Sequence, residues 1–306
     1  MSEHHHGHHH HGHHHHDHKD TSEGRLLMVF VLNACFTVVE FVGGYLTQST
    51  AIMADAVHDL GDTLAIASAL ILNRLGHRQS DANFTYGYRR LSLFGALFNA
   101  LVLVVGCLWI LSEALQRFDQ AILPNAQGML WLAILGVVVN GAAALRLRSG
   151  KTMNERVLNW HLIEDMLGWV VVLVAAIVLH FAQWTWLDPA LSVVFSLFIL
   201  FNVLRSLKET LRLFAQATPD NELSLQVKEA LSSIEQVQSL HHFHMWSLDG
   251  DKHVVSAHIK LNSSDTASHI PVKQEISALL KPFNIHHTTF ELELADEHCR
   301  MNSKER

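Results

Sequence analysis

Six long apolar stretches lie between residues 25 and 210, and they constrain the fold of this chain more than any other feature. Each is close to the roughly 20 residues that a helix needs to cross a lipid bilayer. The stretches cover residues 26–46, 51–73, 92–115, 128–146, 157–181 and 187–206. Six such runs are too many for the buried helices of one soluble bundle, so we expect an α-helical membrane protein with six transmembrane helices.

The composition agrees with this interpretation. Of the 306 residues 49% are apolar and 17% are charged, whereas a soluble protein carries roughly 25% charged residues. The formal net charge of −7 argues against a nucleic-acid partner, which requires a basic surface. The three cysteines (Cys35, Cys107 and Cys299) are far apart and form no CxxC pair, so we expect no part for them in the function.

Arginine and lysine residues predict how the helices are oriented. The loop after the second stretch carries four arginines, and the loop after the fourth carries three arginines and one lysine. The other loops carry almost none, Arg117 being the exception. Because cytoplasmic loops are enriched in these residues, we expect both termini to be cytoplasmic.

Two stretches contain ionisable residues at the same spacing, although such groups are costly inside a bilayer. His58 precedes Asp62 in the second stretch, and His161 precedes Asp165 in the fifth. Residues four apart share one helical face, so two such faces turned toward each other offer two imidazoles and two carboxylates. This donor set suits tetrahedral Zn²⁺, whereas Mg²⁺ and Ca²⁺ prefer six or more oxygen ligands. The alternative is that each pair only holds helices together.

Further polar residues lie in or beside these stretches. Glu40 and Asn140 also lie within the apolar stretches. They could form hydrogen bonds between helices or take part in a transport path, and the sequence favours neither interpretation. Asp59 and Glu164 point away from the His–Asp faces of their helices. We expect these two acids to face a water-filled entrance.

The motifs around these residues resemble the cation diffusion facilitator family. The resemblance covers residues 25–294 and rests on Glu40-Phe-Val-Gly-Gly, the run from Ala54 to Asp62, Tyr86-Gly-Tyr-Arg-Arg90 and the His161–Asp165 pair. It is greatest for bacterial zinc exporters of the CzcD and ZitB type. It implies a homodimer in the bacterial inner (plasma) membrane that exchanges cytoplasmic Zn²⁺ for protons. The implied transport site consists of His58, Asp62, His161 and Asp165.

Residues beyond the last apolar stretch have the pattern of a soluble domain. Helices are predicted over 222–235 and 267–282, and strands over 238–248, 253–262 and 285–294, with a hairpin at Asp249-Gly250-Asp251. This order suits a cytoplasmic α+β ferredoxin-like domain. We therefore divide the chain into a disordered His-rich segment at 1–24, a transport domain at 25–212, a C-terminal domain at 213–296 and a tail at 297–306.

Strand alternation places several histidines on the polar face of this domain. The pattern puts His258 and His287 there, together with His242 and His244 of the first strand. The family resemblance instead implies a zinc site formed by His241, His258 and His287, and a bulge near the strand end would bring His241 onto that face. Solvated surface histidines are the alternative.

Twelve of the 25 histidines lie between His4 and His18. An engineered tag is one explanation, but the irregular spacing favours a natural segment. Such a segment cannot bury a core and is expected to be disordered. We expect it to bind Zn²⁺ weakly near the cytoplasmic entrance.

Three alternatives to zinc export stay open. A tetrahedral site with nitrogen and oxygen donors also accepts Cd²⁺, Co²⁺, Ni²⁺ or Fe²⁺, so the chain could export another divalent metal. A membrane-embedded zinc hydrolase would need a general base, and Glu164 beside His161 could serve, although no His-Glu-x-x-His motif occurs. The third is a signalling protein whose tail senses zinc without transport.

Overall fold

The computed structural model describes the backbone of residues 17–76, 80–120, 122–147 and 153–301, and the side chains of residues 27–71, 80–120, 122–145 and 159–301. Six long helices come first: α1 (Asp17–Thr47), α2 (Thr50–Gly76), α3 (Leu91–Gln120), α4 (Ala126–Leu147), α5 (Met153–Ala182) and α6 (Leu187–Phe214). The C-terminal part contains α7 (Asn221–Ser232), β1 (Val237–Ser247), β2 (His253–Leu261), α8 (His269–Leu279) and β3 (Ile285–Glu293).

Five of the six long helices are long and apolar enough to cross a membrane: α1, α3, α4, α5 and α6. Helix α2 carries Asp55, Asp59 and Asp62 in its first half, which lowers its hydropathy. Its 27 residues nevertheless rise about 40 Å, more than the roughly 30 Å of a hydrocarbon layer. The prediction of a helical membrane domain followed by an α+β domain is confirmed.

The first helix begins earlier than the sequence pattern predicts. Helix α1 starts at Asp17, so the expectation of disorder is wrong for residues 17–24. Residues 17–24 are mostly polar and precede the first apolar stretch, and a helix can begin before the stretch that predicts it. The remaining residues of the predicted His-rich segment, 1–16, lie outside the described part of the chain.

A buried carboxylate holds the turn before α2. Asp188, in the first turn of α6, is 1% exposed. It accepts hydrogen bonds from the Thr50 backbone N (2.7 Å), the Thr50 Oγ1 (2.9 Å) and the Ser49 Oγ. Ser49 also caps α2, since its Oγ accepts from the Ile52 backbone N at 3.2 Å. The start of the helix that carries His58 is thereby joined to the start of α6.

Trp169 of α5 belongs to a buried apolar cluster of the membrane helices. It is 1% exposed, and the cluster also contains Ile52 of α2 and Met129 of α4. A Cβ atom added at Gly136 of α4 would come within 2.2 Å of the Trp169 ring. Only glycine therefore lets α4 and α5 pack this closely, and the packing fixes the position of α5.

The C-terminal domain is a three-stranded sheet with two helices. The strand order is β1-β2-β3, with β1 and β2 antiparallel and β2 and β3 parallel. Val227 and Leu231 of α7 pack with Ile259 of β2 and with Val272 and Ile276 of α8 in one buried core. The predicted helices and strands of this domain are all present, within a few residues of their expected bounds.

Candidate metal centres

The structure brings together the four side chains that the sequence singles out in the membrane helices. His58 and Asp62 project from α2, and His161 and Asp165 project from α5. The His161 Nε2 lies 3.1 Å from the Asp62 Oδ2 and 3.7 Å from the Asp165 Oδ2. The His58 Nε2 lies 3.7 Å from the same Asp62 Oδ2, and the two imidazole centroids are 6.1 Å apart. We call this group the tetrad.

These separations are compatible with a tetrahedral ion. With Zn–N and Zn–O bonds of about 2.0–2.2 Å, neighbouring ligand atoms of a tetrahedron are about 3.3–3.6 Å apart. The Asp62 Oδ2 and the Asp165 Oδ1 are both shielded from solvent. The Asp165 Oδ1 accepts no hydrogen bond from any residue of the described ranges, whereas the Asp62 Oδ2 lies within reach of the His161 Nε2. The tetrad thus presents carboxylate oxygens beside imidazole nitrogens, a donor set that can hold a divalent cation or protons.

Two acids that lie next to tetrad residues in the sequence, Asp59 and Glu164, differ in their exposure to solvent. Glu164 is exposed on α5, and its place at a water-filled entrance stays a prediction. Asp59 is 5% exposed, so the expectation that it faces a water-filled entrance is wrong. The reason is that this face of α2 packs on α1, where Asn33 donates a hydrogen bond to the Asp59 carbonyl.

A second group of possible ligands lies in the C-terminal domain. His241 of β1 pairs with His258 of β2, because a register shift follows His241 and His242 adopts a left-handed φ of 48°. This is the bulge that the family resemblance required. Glu293 joins the two rings: its Oε2 lies 3.1 Å from the His241 Nε2, and its Oε1 lies 2.8 Å from the His258 Nδ1.

Cys299 completes this group. Its Sγ lies 3.5 Å from the His258 Nδ1, and the four ligand atoms of His241, His258, Glu293 and Cys299 all lie within 4.8 Å of one another. Burial raises the pKa of the Glu293 carboxyl, but the hydrogen bonds from His258 and Cys299 and the charge of His241 outweigh it and leave that pKa below its usual range. An ionised carboxylate beside imidazoles and a thiol suits Zn²⁺. We call these four residues the C-terminal cluster.

His287 does not lie beside His241 and His258 within the chain, so the structure brings together two of the three histidines that the family resemblance implies. In the parallel pair His287 lies opposite Val254, whereas His258 lies opposite Glu291. The four-residue offset corresponds to about 13 Å along the strand. The exposed His287 ring instead packs edge to face on Tyr86, with centroids 5.4 Å apart.

The sequence analysis missed Glu293 and Cys299. For Glu293 a signal existed, because strand alternation places it on the same face as His287. Cys299 follows the end of β3, where periodicity gives no information. Its distance from the other cysteines led to the expectation that it has no part in the function, whereas the structure places its Sγ beside His258.

Comparison with known proteins agrees with this architecture. Residues 26–215 match a family model described as the cation efflux transmembrane domain, and residues 219–294 match one described as the cation efflux protein cytoplasmic domain. The chain is 34% identical over 289 residues to the zinc transporter ZitB of Pectobacterium atrosepticum, covering 92% of this chain and 89% of that protein.

Two other relatives are similar at the same level. The metal cation efflux system protein CzcD of Cupriavidus metallidurans is 33% identical over 277 residues, which is 90% of this chain and 87% of that protein. The cadmium, cobalt and zinc/H(+)-K(+) antiporter of Bacillus subtilis is 30% identical over 273 residues, 88% of each chain. The family resemblance is thus confirmed: the chain belongs to the cation efflux family and is a membrane transporter of metal cations rather than an enzyme.

Proposed function

We propose that the chain exports Zn²⁺ from the cytoplasm in exchange for protons, with the tetrad as its transport site. The observation that carries the proposal is the 3.1 Å approach of His161 on α5 to Asp62 on α2, which joins two helices through possible ligands of one ion. The names of all three relatives above refer to zinc or to metal cations. Cadmium and cobalt are the principal alternative substrates, since one relative is named for them and the donor set accepts both.

The tetrad suits an exchange of metal for protons. Zn²⁺ binds imidazoles that are neutral and carboxylates that are ionised, so protons and metal compete for the same atoms. Imidazole is the side chain whose ordinary titration lies nearest to physiological pH, so a small pH difference changes its occupancy. Protons from the outer side would displace the ion once the site opens outward, as alternating access requires.

We also propose that both termini and the C-terminal domain (213–296) lie in the cytoplasm of a bacterium, with the transport domain (25–212) in the inner membrane. Arg117, which does not fit the pattern of basic loops, supports this orientation. Its Nε lies 3.0 Å from the Glu113 Oε1, and its Nη1 donates to the Gln48 carbonyl just after α1. The charge of Arg117 is therefore paired within the helices, so this single arginine does not indicate that its loop is cytoplasmic.

Homodimerisation through the C-terminal domain is part of the proposal, because the name of the family model that matches residues 219–294 refers to a dimer. The C-terminal cluster is proposed as a second zinc site that is structural or regulatory. Its mixed nitrogen, oxygen and sulfur donors differ from those of the tetrad, and four protein ligands suit an ion that stays bound.

Zinc uptake into proteoliposomes under an imposed pH gradient tests the transport site. His161→Ala and Asp165→Ala should abolish proton-driven flux in proteins that still fold. Glu113→Gln is the matched control, because Glu113 is an acid of α3 that pairs with Arg117 outside the tetrad, and its loss should leave the flux unchanged. Normal flux from both alanine variants would reject the assignment.

A further inference from the structure

Helices α1 and α2 face each other through a row of polar side chains outside the tetrad. We call this row the α1–α2 seam, and it consists of Asn33, Thr37 and Glu40 on α1 and Asp59 and Thr63 on α2. Spacings of three and four residues place each set on one face of its helix. Apart from Asn33, which is half-buried, its members are all buried, with Glu40 at 1% exposure.

The hydrogen-bond donors of the seam are already in use. The Asn33 Nδ2 donates to the Asp59 carbonyl (3.2 Å) and to the Thr63 Oγ1 (3.0 Å). The Thr37 Oγ1 donates to the Asn33 carbonyl at 2.8 Å and lies 3.3 Å from the Thr63 Oγ1. The hydrogens of the Asn33 amide and of both threonine hydroxyls are thus already used in hydrogen bonds, so none is left to be donated to the Glu40 carboxylate.

The buried Glu40 carboxyl is therefore not stabilised by hydrogen bonds from the seam. Neither of its carboxylate oxygens accepts a hydrogen bond from a residue of the described ranges. A second buried carboxyl, that of Asp59 at 5% exposure, lies on the facing helix of the seam. Carboxylates buried close together cannot all be ionised in a low dielectric unless a positive charge lies between them.

We propose that the seam binds one positive charge at Glu40, and that exchange of this charge is coupled to zinc transport. The atoms of the seam that could bind a cation are oxygens, and oxygen ligands favour a proton or a hard alkali cation over Zn²⁺. Asp59 follows His58 directly in α2, so the charge in the seam and the charge in the tetrad act on the same helix. The inference rests on the proposed function, because it assigns a place to one counter-cation in addition to the protons that compete with zinc at the tetrad.

Glu40→Gln tests the proposal, because glutamine has the shape of a protonated glutamate but cannot exchange a charge. In proteoliposomes of the full chain, zinc flux should fall by about tenfold or more, and fewer counter-cations should move per zinc. Zinc affinity at equilibrium should stay within about threefold, since the tetrad is intact. Glu113→Gln is the matched control: Glu113 is an acid of α3 that pairs with Arg117, and its loss should change neither flux nor affinity.

The identity of the charge follows from the same assay with Na⁺, K⁺ or N-methylglucamine as the only monovalent cation besides protons. Flux that requires Na⁺ or K⁺ assigns an alkali cation to the seam, and equal flux in all three assigns a proton. Wild-type flux and stoichiometry in Glu40→Gln would overturn the proposal, because Glu40 would then be permanently protonated. A large loss of zinc affinity would also overturn it, because Glu40 would then belong to the zinc site.

A second variant keeps the proposal testable if Glu40→Gln fails to fold. Glu40→Asp retains the carboxylate but withdraws it by one methylene. It should transport zinc with the wild-type number of counter-cations, while the KM for the counter-cation rises by about threefold or more. An unchanged KM would overturn the proposal, and the absence of zinc flux from the wild type would instead reject the proposed function.

Discussion

The His161 Nε2 lies closer to Asp62, on the facing helix, than to Asp165, on its own: 3.1 Å against 3.7 Å. Asp62 in turn is the oxygen donor nearest to the His58 Nε2, at 3.7 Å. The tetrad is therefore assembled between α2 and α5, and a relative movement of these helices would change its geometry. This is the property that a transport site needs and a permanent structural site does not.

The position of Asp62 between the two imidazoles predicts an order of effects. Asp62→Asn should lower zinc affinity by about 100-fold or more, because loss of a direct ligand exceeds the 10–100-fold effect of losing an outer partner. Asp165→Asn should have a smaller effect, since Asp165 approaches one imidazole among the described contacts. Competition with a zinc chelator measures both affinities, and equal affinities of Asp62→Asn and the wild type would contradict the central place of Asp62.

The C-terminal cluster predicts how many zinc ions each chain binds. Glu293→Gln and Cys299→Ser should each lower the bound zinc by about one ion per chain at limiting free zinc, because each removes a ligand from a four-donor site. His287→Ala should bind as much zinc as the wild type, since His287 lies apart from the cluster. Elemental analysis after dialysis checks this, and a loss of zinc in His287→Ala would show that the ligand set is wrong.

Removal of the Asp188 carboxylate should weaken the protein. Asp188→Asn leaves the donors of Ser49 and Thr50 without their charged acceptor, which is expected to cost about 3 kcal/mol. Ser192→Ala is a milder comparison, because it removes one neutral hydrogen bond, to the Thr50 carbonyl, at a cost of about 1 kcal/mol. Melting temperatures in detergent should follow this order; a variant Asp188→Asn as stable as the wild type would refute the anchoring role.

His253 makes the C-terminal domain sensitive to acid. Burial lowers the pKa of His253 below its ordinary value of 6.5, so the unfolded chain takes up a proton that the folded domain resists. Stability is therefore expected to fall as the pH drops below about 6.5. His253→Gln should lose less stability between pH 7.5 and 5.5 than the wild type does, as measured by urea unfolding at the two pH values. Equal losses would show that His253 does not contribute.

Much of the membrane site could be predicted from the sequence because helical geometry is local. The spacing of His58 and Asp62, repeated in His161 and Asp165, places each pair on one face without knowledge of the fold. The approach of Asp62 to His161 could not be predicted, since it depends on how α5 packs. That packing requires Gly136 beside Trp169, a contact that no periodic pattern shows.

The C-terminal cluster was less predictable because its members come from separate elements. Strand alternation gave the correct face for His258, and the bulge at His242 decided between the two interpretations for His241. Cys299 lies beyond β3, where the path of the chain is set by tertiary contacts rather than by a repeating pattern. The early start of α1 was missed for a related reason, because polar residues can extend a helix beyond its apolar stretch.

Zinc X-ray absorption spectroscopy on the double variant Glu293→Gln/Cys299→Ser, loaded with one zinc ion per chain, tests the central claim most directly. At this loading the weakly binding His-rich segment stays empty, so the zinc lies at the tetrad. The account predicts four nitrogen or oxygen neighbours at about 2.0–2.2 Å and no sulfur, with this signal lost when Asp62→Asn is added. A zinc shell with sulfur at about 2.3 Å, or an unchanged spectrum after Asp62→Asn, would contradict the assignment of the transport site.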